Sequence, residues 1–430
     1  MLLFRQQDGE DTFSCWEGIH IPSSTFPEAV GLFSQLPAAE TVVLVTSGGL
    51  EVIQAIAEDW TRLCDEVACD EPTYRPEWAL SYVRAYAPTA KLVVLSAWSD
   101  ERLRGILPLV LDRTRICGLP VRRLTCPANV HCLRFGLVRC SGQEGQAVLH
   151  SLWQKIKEIP DWDLIQLPYV VEGNGADQLV PLAAGDGFPV GRRLSWQSLY
   201  VPLSFQESSE PAWSTFIRPK FRQNLRRTRR QLEELGPVTV RHFDQAEPEA
   251  LAHFYRLESS GWKGAQGTAI ACDERTRKFY EEITQAAARN NYFSLDILES
   301  NGTPVSAFLG FKLHGRYLLA KAGYDEAYQR YGPGQLLVHE ILNQSRSRSM
   351  HEFDFVGPAT WDEGRWASAR RQQYEIFIFR RGLYGSLLHT LRIAGRMALK
   401  KLLRRGANDD SVLEAPSPEI STTGSPNSDS

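Results

Sequence analysis

The run Gln329-Arg330-Tyr331-Gly332-Pro333-Gly334 places two glycines around a proline where a strand pattern gives way to a helix pattern. A glycine-bearing turn at a helix start leaves backbone N–H groups unpaired at the positive end of the helix dipole, which suits a phosphate or another anion. The same six residues also read as a plain capped turn, and the pattern alone does not choose. Three carboxylates stand where a proton acceptor is useful. Glu258 closes a helix pattern near Trp262, where partial burial raises a carboxyl pKa, or else it faces solvent. Asp325 follows the strand that leads to the turn, although loop aspartates also bond their own turn. Asp354 alternates with Phe353 and Phe355 and so faces away from both, free for catalysis or for an arginine. Trp262 and Lys263 are candidates to shape an acceptor pocket. His339 reads as an ordinary helix histidine. The eight cysteines show no Cys-x-x-Cys spacing and read as thiols of a reducing compartment, with Cys272 a minor nucleophile candidate. No His/Cys grouping has metal spacing, so no metal is expected, and no nucleophile elbow is present.

These residues need a framework to hold them. Tyr292–Leu298, Pro304–Leu313 and Arg316–Gly323 read as three strands joined at Asn301-Gly302 and His314-Gly315, a strong hairpin signal. The pattern then predicts a helix over Gln335–Arg348 and strands over Glu352–Val356 and Tyr374–Phe379. Upstream, Pro219 opens a helix whose Phe221, Leu225, Thr228, Leu232 and Leu235 form an apolar stripe, and Gly236-Pro237 stops it. A strand over Val238–Phe243, a helix from Pro248 to about Ser260 and a helix capped by Asp273 follow. The earlier chain reads as a strand at Val42–Val45, helices at Glu51–Ala57, Trp60–Val67 and Pro76–Tyr86, and strands at Leu92–Leu95, Leu103–Leu111, Val121–Thr125 and Arg134–Val138. A helix over Gly145–Lys157, a strand at Leu164–Leu167 and a Ser/Glu-rich linker from Pro202 to Pro211 complete it. The fold class is α/β, layered as α+β, with a lead-in over 1–58, a first domain over 59–204 and a second over 205–380.

Composition bounds the function. Hydrophobic residues at 43% and charged residues at 23% fit a soluble globular chain, and a net charge of −3 argues against a generic nucleic-acid binder. No apolar run approaches the roughly 20 residues needed to span a bilayer, and the N-terminus lacks a signal-peptide layout, so the cytoplasm is the expected location. Two cationic segments stand out. Seven Lys/Arg and no acid lie between Arg218 and Arg230, as a solvated helix face or a surface for cofactor phosphates, an acidic glycan, a lipid head group or RNA. Residues 380–405 hold eight Lys/Arg and no acid, with Tyr384, Leu387, Leu388, Leu391, Ala394, Ala398 and Leu402 on one helical face. Such a helix over 381–405 lies on an anionic membrane surface or docks on its own core. The Ser/Pro-rich stretch 406–430 is expected to be disordered.

Strand, two helices, three antiparallel strands, a glycine turn opening a helix, then further strands: this order resembles the GNAT superfamily of N-acetyltransferases. Its phosphate-loop pattern, Gln/Arg-x-x-Gly-x-Gly/Ala, is matched by Gln329 to Gly334 at the corresponding place. Closer likeness lies in the Arg-rich helix ending Leu232-Glu233-Glu234-Leu235-Gly236, in Glu258-Ser259-Ser260-Gly261-Trp262-Lys263-Gly264, and in Phe353-Asp354-Phe355-x-Gly357. These resemble the CelD/BcsL branch, associated with cellulose and exopolysaccharide biosynthesis, over about residues 205–380. Pro76-Glu77-Trp78, Gly105 to Leu109 and Asn129-Val130-His131 extend the likeness more faintly over 60–200. The branch is similar to Fem-type transferases, which add amino acids to peptidoglycan precursors on a tandem GNAT-like framework.

The resemblance implies tandem GNAT-like domains, each a mixed, mostly antiparallel sheet flanked by helices. It implies acyl transfer from acetyl-CoA or another acyl-CoA to an amine or hydroxyl of a sugar or cell-envelope precursor. The pyrophosphate would rest on the N–H groups of Tyr331, Gly332, Gly334 and Gln335 around Pro333, with Gln329 and Arg330 beside it. The pantetheine arm would pair with Leu319, Ala320, Lys321 and Ala322 as an extra strand. Glu258, Asp325 or Asp354 would take the nucleophile's proton. In one departure, the family's aromatic–Lys pair after the Asp-Phe strand is replaced by Trp361-Asp362, which removes any contact made by that lysine. The alternatives are a Fem-like transferase using aminoacyl-tRNA and a non-catalytic scaffold of a polysaccharide synthase.

Overall fold

A computed structural model describes residues 41–132, 134–203, 212–215, 217–359, 363–367 and 369–393. The first half runs β1 (Val42–Gly48), α1 (Glu51–Glu66), α2 (Pro76–Tyr86), β2 (Lys91–Ser99), β3 (Arg102–Ile116), β4 (Leu119–Thr125), β5 (Val138–Arg139), α3 (Gly142–Glu158), β6 (Leu164–Val171), α4 (Leu179–Gly185) and β7 (Val190–Pro202). The second runs α5 (Pro219–Glu233), β8 (Val238–Phe243), α6 (Pro248–Glu258), α7 (Trp262–Ala265), α8 (Glu274–Arg289), β9 (Phe293–Ser300), β10 (Thr303–Leu313), β11 (Arg316–Tyr324), α9 (Pro333–Asn343), β12 (Glu352–Asp354) and β13 (Ala369–Phe379).

The strands form one sheet in the order β1-β2-β3-β4-β6-β13-β7-β12-β11-β10-β9-β8, with β5 beside β3. Pairing is antiparallel except for β4–β6 and β11–β12. Helices cover both faces, giving a mixed, mostly antiparallel α/β fold. The two halves are stitched together. β13, last in the chain, lies between β6 and β7, and β7 in turn pairs with β12. Ile376 and Ile378 of β13 therefore pack among Leu167 and Trp153 of the first half, while Phe377 and Phe379 meet Leu164 on the other face. In the second half, α5 and α9 cover one face of the sheet. The other face carries α6 and α8 together with α2 of the first half, whose Trp78 meets Phe279 and Phe311 edge-on at 5.7 and 5.1 Å.

Several expectations need correction. Glu51 to Glu66 is one continuous helix, because nothing between Ala57 and Trp60 breaks it. Arg134–Val138 is not a continuous strand: Phe135 makes an isolated parallel bridge to Val170, the strand is confined to Val138–Arg139, and Arg134 enters a buried ion cluster. Strand β7 is not among the expected elements, since Arg192 and Arg193 interrupt its apolar pattern; both find partners within the sheet. Arg192 lies over the Tyr374 ring at 4.6 Å, and Arg193 pairs with Glu375 at 2.6 Å. Residues 383–393 are helical, and only part of the proposed apolar face is free. Leu388 is buried against β4, β6 and β13, and the Tyr384 hydroxyl donates to the Pro120 carbonyl, whereas Leu383 is 93% exposed. Residues 1–40, 204–211 and 394–430, with most of the lead-in and linker and the whole distal tail, lie outside the described residues. The seven described cysteines are free thiols. Among the described residues, no helix is long and apolar enough to cross a membrane.

Candidate active site

The site forms where β11 parts from β12. The two strands pair only from Arg316–Leu318 to Glu352–Asp354. Just past β12 the chain turns at Val356, whose φ is +62° and whose N–H donates to the Asp354 carboxylate at 2.7 Å. Residues 319–324 thus have no strand partner on that side among the described residues. The Asp325 N–H donates to the Val305 carbonyl, which fixes the phase of the β10–β11 ladder. Alternation then turns the backbone groups of Ala322 and Tyr324 to the open edge. Lys263 Nζ donates to the Ala322 carbonyl there at 2.9 Å.

The same edge leads into the glycine turn. Glu326–Tyr331 forms a short 3-10 helix, and the Asp325 carboxylate caps it by accepting the Ala327 N–H at 3.0 Å. Gly332 takes a left-handed conformation, φ 61° and ψ 51°, and Pro333 opens α9 with its φ already helical. The turn offers fewer donors than the sequence promised. The Gly332 N–H is bonded to the Gln329 carbonyl, and Pro333 has none. Gly334 and Gln335 are the first-turn N–H groups that helix geometry leaves without an acceptor. Tyr331 is buried, and exposed Arg330 stacks over its ring at 4.6 Å. The Gln335 side chain is buried and accepts the Trp366 indole N–H.

Between edge and turn lies a cleft lined by Glu258, Lys263, Ala322, Gly323, Glu326 and Gly334. Its shape depends on direct contact of α6 with β11. A Cβ on Gly323 would come within 2.5 Å of the Glu258 nitrogen and 2.6 Å of the Leu257 carbonyl carbon, so only glycine lets the helix end approach. Glu258 is 2% exposed, and its carboxylate accepts from Lys263 Nζ at 3.2 Å and from the Ile270 N–H at 2.9 Å.

Glu258, Lys263, Ala322 and Gly334 are therefore brought together, with Leu319, Ala320, Lys321 and the Gln329–Gln335 turn adjoining. Asp325 sits beside them as a cap. Trp262 opens α7. Asp354 does not join the site: it is fully buried, with Arg134 at 2.8 Å, Arg316 at 3.0 Å and Arg371 at 2.8 Å. Burial opposes its ionisation, but the three guanidinium groups hold its carboxyl below the usual range. An acceptor cannot reach it, so its expected role as a base is withdrawn. His339 packs against Trp213, and Cys272 is exposed and does not line the cleft. Trp361 and Asp362 lie outside the described residues. Sequence reasoning missed the ion cluster of Arg134, Arg316 and Arg371 with Glu71, Glu352 and Asp354, since its members are remote in sequence. It also missed the side chain of Lys321.

Comparison with known proteins adds the following. Residues 219–368 match the family model described as acetyltransferase (GNAT) domain. A search of curated proteins returned no match. Among solved structures, FemX aligns with a TM-score of 0.50 at 10% identity, over 74% of this chain and 95% of its own. A tandem GNAT protein from the clavulanic acid biosynthesis pathway gives 0.41 at 13% identity, over 80% and 100%. L-PGS from Bacillus licheniformis gives 0.42 at 13%, over 75% and 98%. The FemX overlay is a likeness of fold. Residues 219–368 are thus similar to a GNAT acetyltransferase domain.

Proposed function

We propose that the protein is an acyl-CoA-dependent N- or O-acyltransferase whose acceptor is a sugar or cell-envelope precursor. The observation that supports this most is the open edge of β11 running directly to the start of α9. A pantetheine arm carries amides spaced to add a strand to this edge, where the Ala322 carbonyl already accepts an outside donor, Lys263 Nζ. A pyrophosphate at the end of that strand meets the N–H groups of Gly334 and Gln335 at the positive end of α9, with exposed Arg330, held against Tyr331, adding charge-assisted contacts. A backbone N–H on the same edge polarises the thioester carbonyl, and holding donor and acceptor together supplies much of the rate. The envelope or polysaccharide acceptor rests on the CelD/BcsL resemblance. We assign the protein to the cytoplasmic side, with peripheral contact to anionic membrane through 381–405 supported by exposed Leu383 and Leu387. Native mass spectrometry of the purified protein with acetyl-CoA and longer acyl-CoAs tests the donor. One bound acyl-CoA per chain is expected; no adduct with any of them would overturn the proposal.

A second reading, an aminoacyl-tRNA donor, is favoured by α5. Arg218, Lys220, Arg226, Arg227 and Arg230 are exposed without a carboxylate partner among the described residues, while Arg229 is engaged by Glu233 and Glu340. Salt-sensitive tRNA binding that is lost on charge reversal at Arg226 and Arg230 would support it.

A further inference from the structure

The register between β10 and β11 shifts so that Leu309 faces Lys321, Gly310 faces Leu319 and Ala320 is left over. A bulge of this kind sends two consecutive side chains to one face. Leu319 and Ala322 pack with α9, whereas Ala320 packs on the α8 side. There the Lys321 ammonium lies 5.8 Å from the centre of the buried Tyr280 ring of α8. Tyr280 also receives the His131 ring edge-on at 5.7 Å, and His131 stacks on Tyr86 of α2 at 6.0 Å. The wall is thus built by both halves of the protein. Within it, Lys321 has the ring face but no hydrogen bond or ion pair among the described residues, and His131 Nδ1 is buried without a partner.

A half-buried ammonium ordinarily takes a carboxylate. The groups facing Lys321 do not supply a free one. Glu258 of α6 is already bound by Lys263 and the Ile270 N–H, Lys263 of α7 repels it, Tyr280 of α8 offers only its ring, and His131 is neutral. Asp273 at the start of α8 caps its own helix through Thr276. Burial, and then the Lys263 charge, push Lys321 down to about 8, with Glu258 opposing; burial pushes His131 down to about 3. By contrast, Asp354 is locked among arginines and Asp325 caps its turn.

We propose that Lys321 is the general base of acyl transfer and that the wall of Tyr280, His131 and Tyr86 receives the protic nucleophile of the acceptor, an amine or hydroxyl. This rests on the donor lying along the open edge of β11, one residue away at Ala322. The nucleophile attacks the thioester carbonyl carbon, a C–N or C–O bond forms and the C–S bond breaks. Its proton passes to the neutral Lys321 amine. The resulting ammonium gives that proton to the CoA thiolate, which leaves as the thiol and regenerates the amine.

The full-length protein, Lys321→Met and Lys321→Arg can be assayed for thiol release from acetyl-CoA, with hydroxylamine as the probe nucleophile, while calorimetry follows acetyl-CoA binding. Wild type is expected to release thiol at a rate rising with pH to a midpoint near 8. Both variants are expected to lose about 100-fold or more in rate, as removal of a general base does, and to lose the midpoint, with acetyl-CoA affinity kept within about threefold. A variant that keeps rate and midpoint overturns the proposal, as does a wild type that binds acetyl-CoA and releases no thiol above the buffer rate. Absence of acetyl-CoA binding in wild type instead removes the donor reading, and the base role falls with it. Competitive labelling with acetic anhydride gives a readout independent of turnover. Lys321 should titrate near 8, and a midpoint near the ~10.4 of an exposed lysine contradicts the assignment.

Discussion

Asp354→Asn removes a charge on which three guanidinium groups converge. Arg134, Arg316 and Arg371 each lie within 3.0 Å of its carboxylate, Arg134 and Asp354 being wholly inaccessible to solvent. Three arginines face the carboxylates of Glu71, Glu352 and Asp354, so the substitution leaves one positive charge uncompensated, with half-exposed Asp70 as its nearest relief. Removing one partner of a buried pair costs about 3–5 kcal/mol, because the remaining charge stays desolvated. Urea unfolding followed by tryptophan fluorescence should therefore show a loss of that size near neutral pH. The pH dependence has a definite sign. The arginines lower the Asp354 pKa in the folded protein, so its contribution is fully present above the unfolded value of about 3.9 and is lost as pH falls through the lower folded value. The gap between wild type and variant should stay constant from neutral pH to about 5 and close in stronger acid. Acetyl-CoA affinity per folded molecule should be unchanged. A loss below about 1 kcal/mol, or full stability with abolished turnover, would refute the structural role and return Asp354 to the list of catalytic candidates.

Two further substitutions probe the site. Gly323→Ala forces a methyl group against the backbone of Leu257 and Glu258, which cannot move aside as a side chain would, so a loss of about 1–3 kcal/mol and weakened donor binding are expected in thermal melts and titrations. Lys321→Met should stabilise the fold below pH 8, by at most about 3 kcal/mol for the fall from 10.5 to about 8. Between those values the unfolded chain binds the extra proton, so wild-type stability rises with pH and the advantage of the variant shrinks; an advantage independent of pH would contradict the burial of a charge there.

What the sequence made legible follows local rules. Asn301-Gly302 and His314-Gly315 mark their hairpins because those turns demand residues that accept positive φ, and Gly332 with Pro333 marks the start of α9 for the same reason. Glu258 closes a helix whose apolar face is plain in the sequence, and Lys263 lies five residues on. The features that escaped depend on long-range pairing. Nothing near Arg134 signals Asp354, 220 residues on. The arginines of β7 hide its strand character until β13 arrives to supply Tyr374 and Glu375. Lys321 is the sharpest case. Simple alternation from Leu319 would point it toward α9, and only the leftover residue at Ala320 turns it to Tyr280 and the first half.

The central claim is a donor site made from the open edge of β11 and the first turn of α9. Isothermal titration of acetyl-CoA into the full-length protein, beside a Gly334→Leu variant shown to be folded by circular dichroism, tests it most directly. Wild type should bind saturably with one acyl-CoA per chain, and the leucine should weaken binding about 100-fold, roughly 2.7 kcal/mol, by filling the cleft at the phosphate end. No saturable heat with acetyl-CoA or a longer acyl-CoA, or equal affinity in the two proteins, would contradict it.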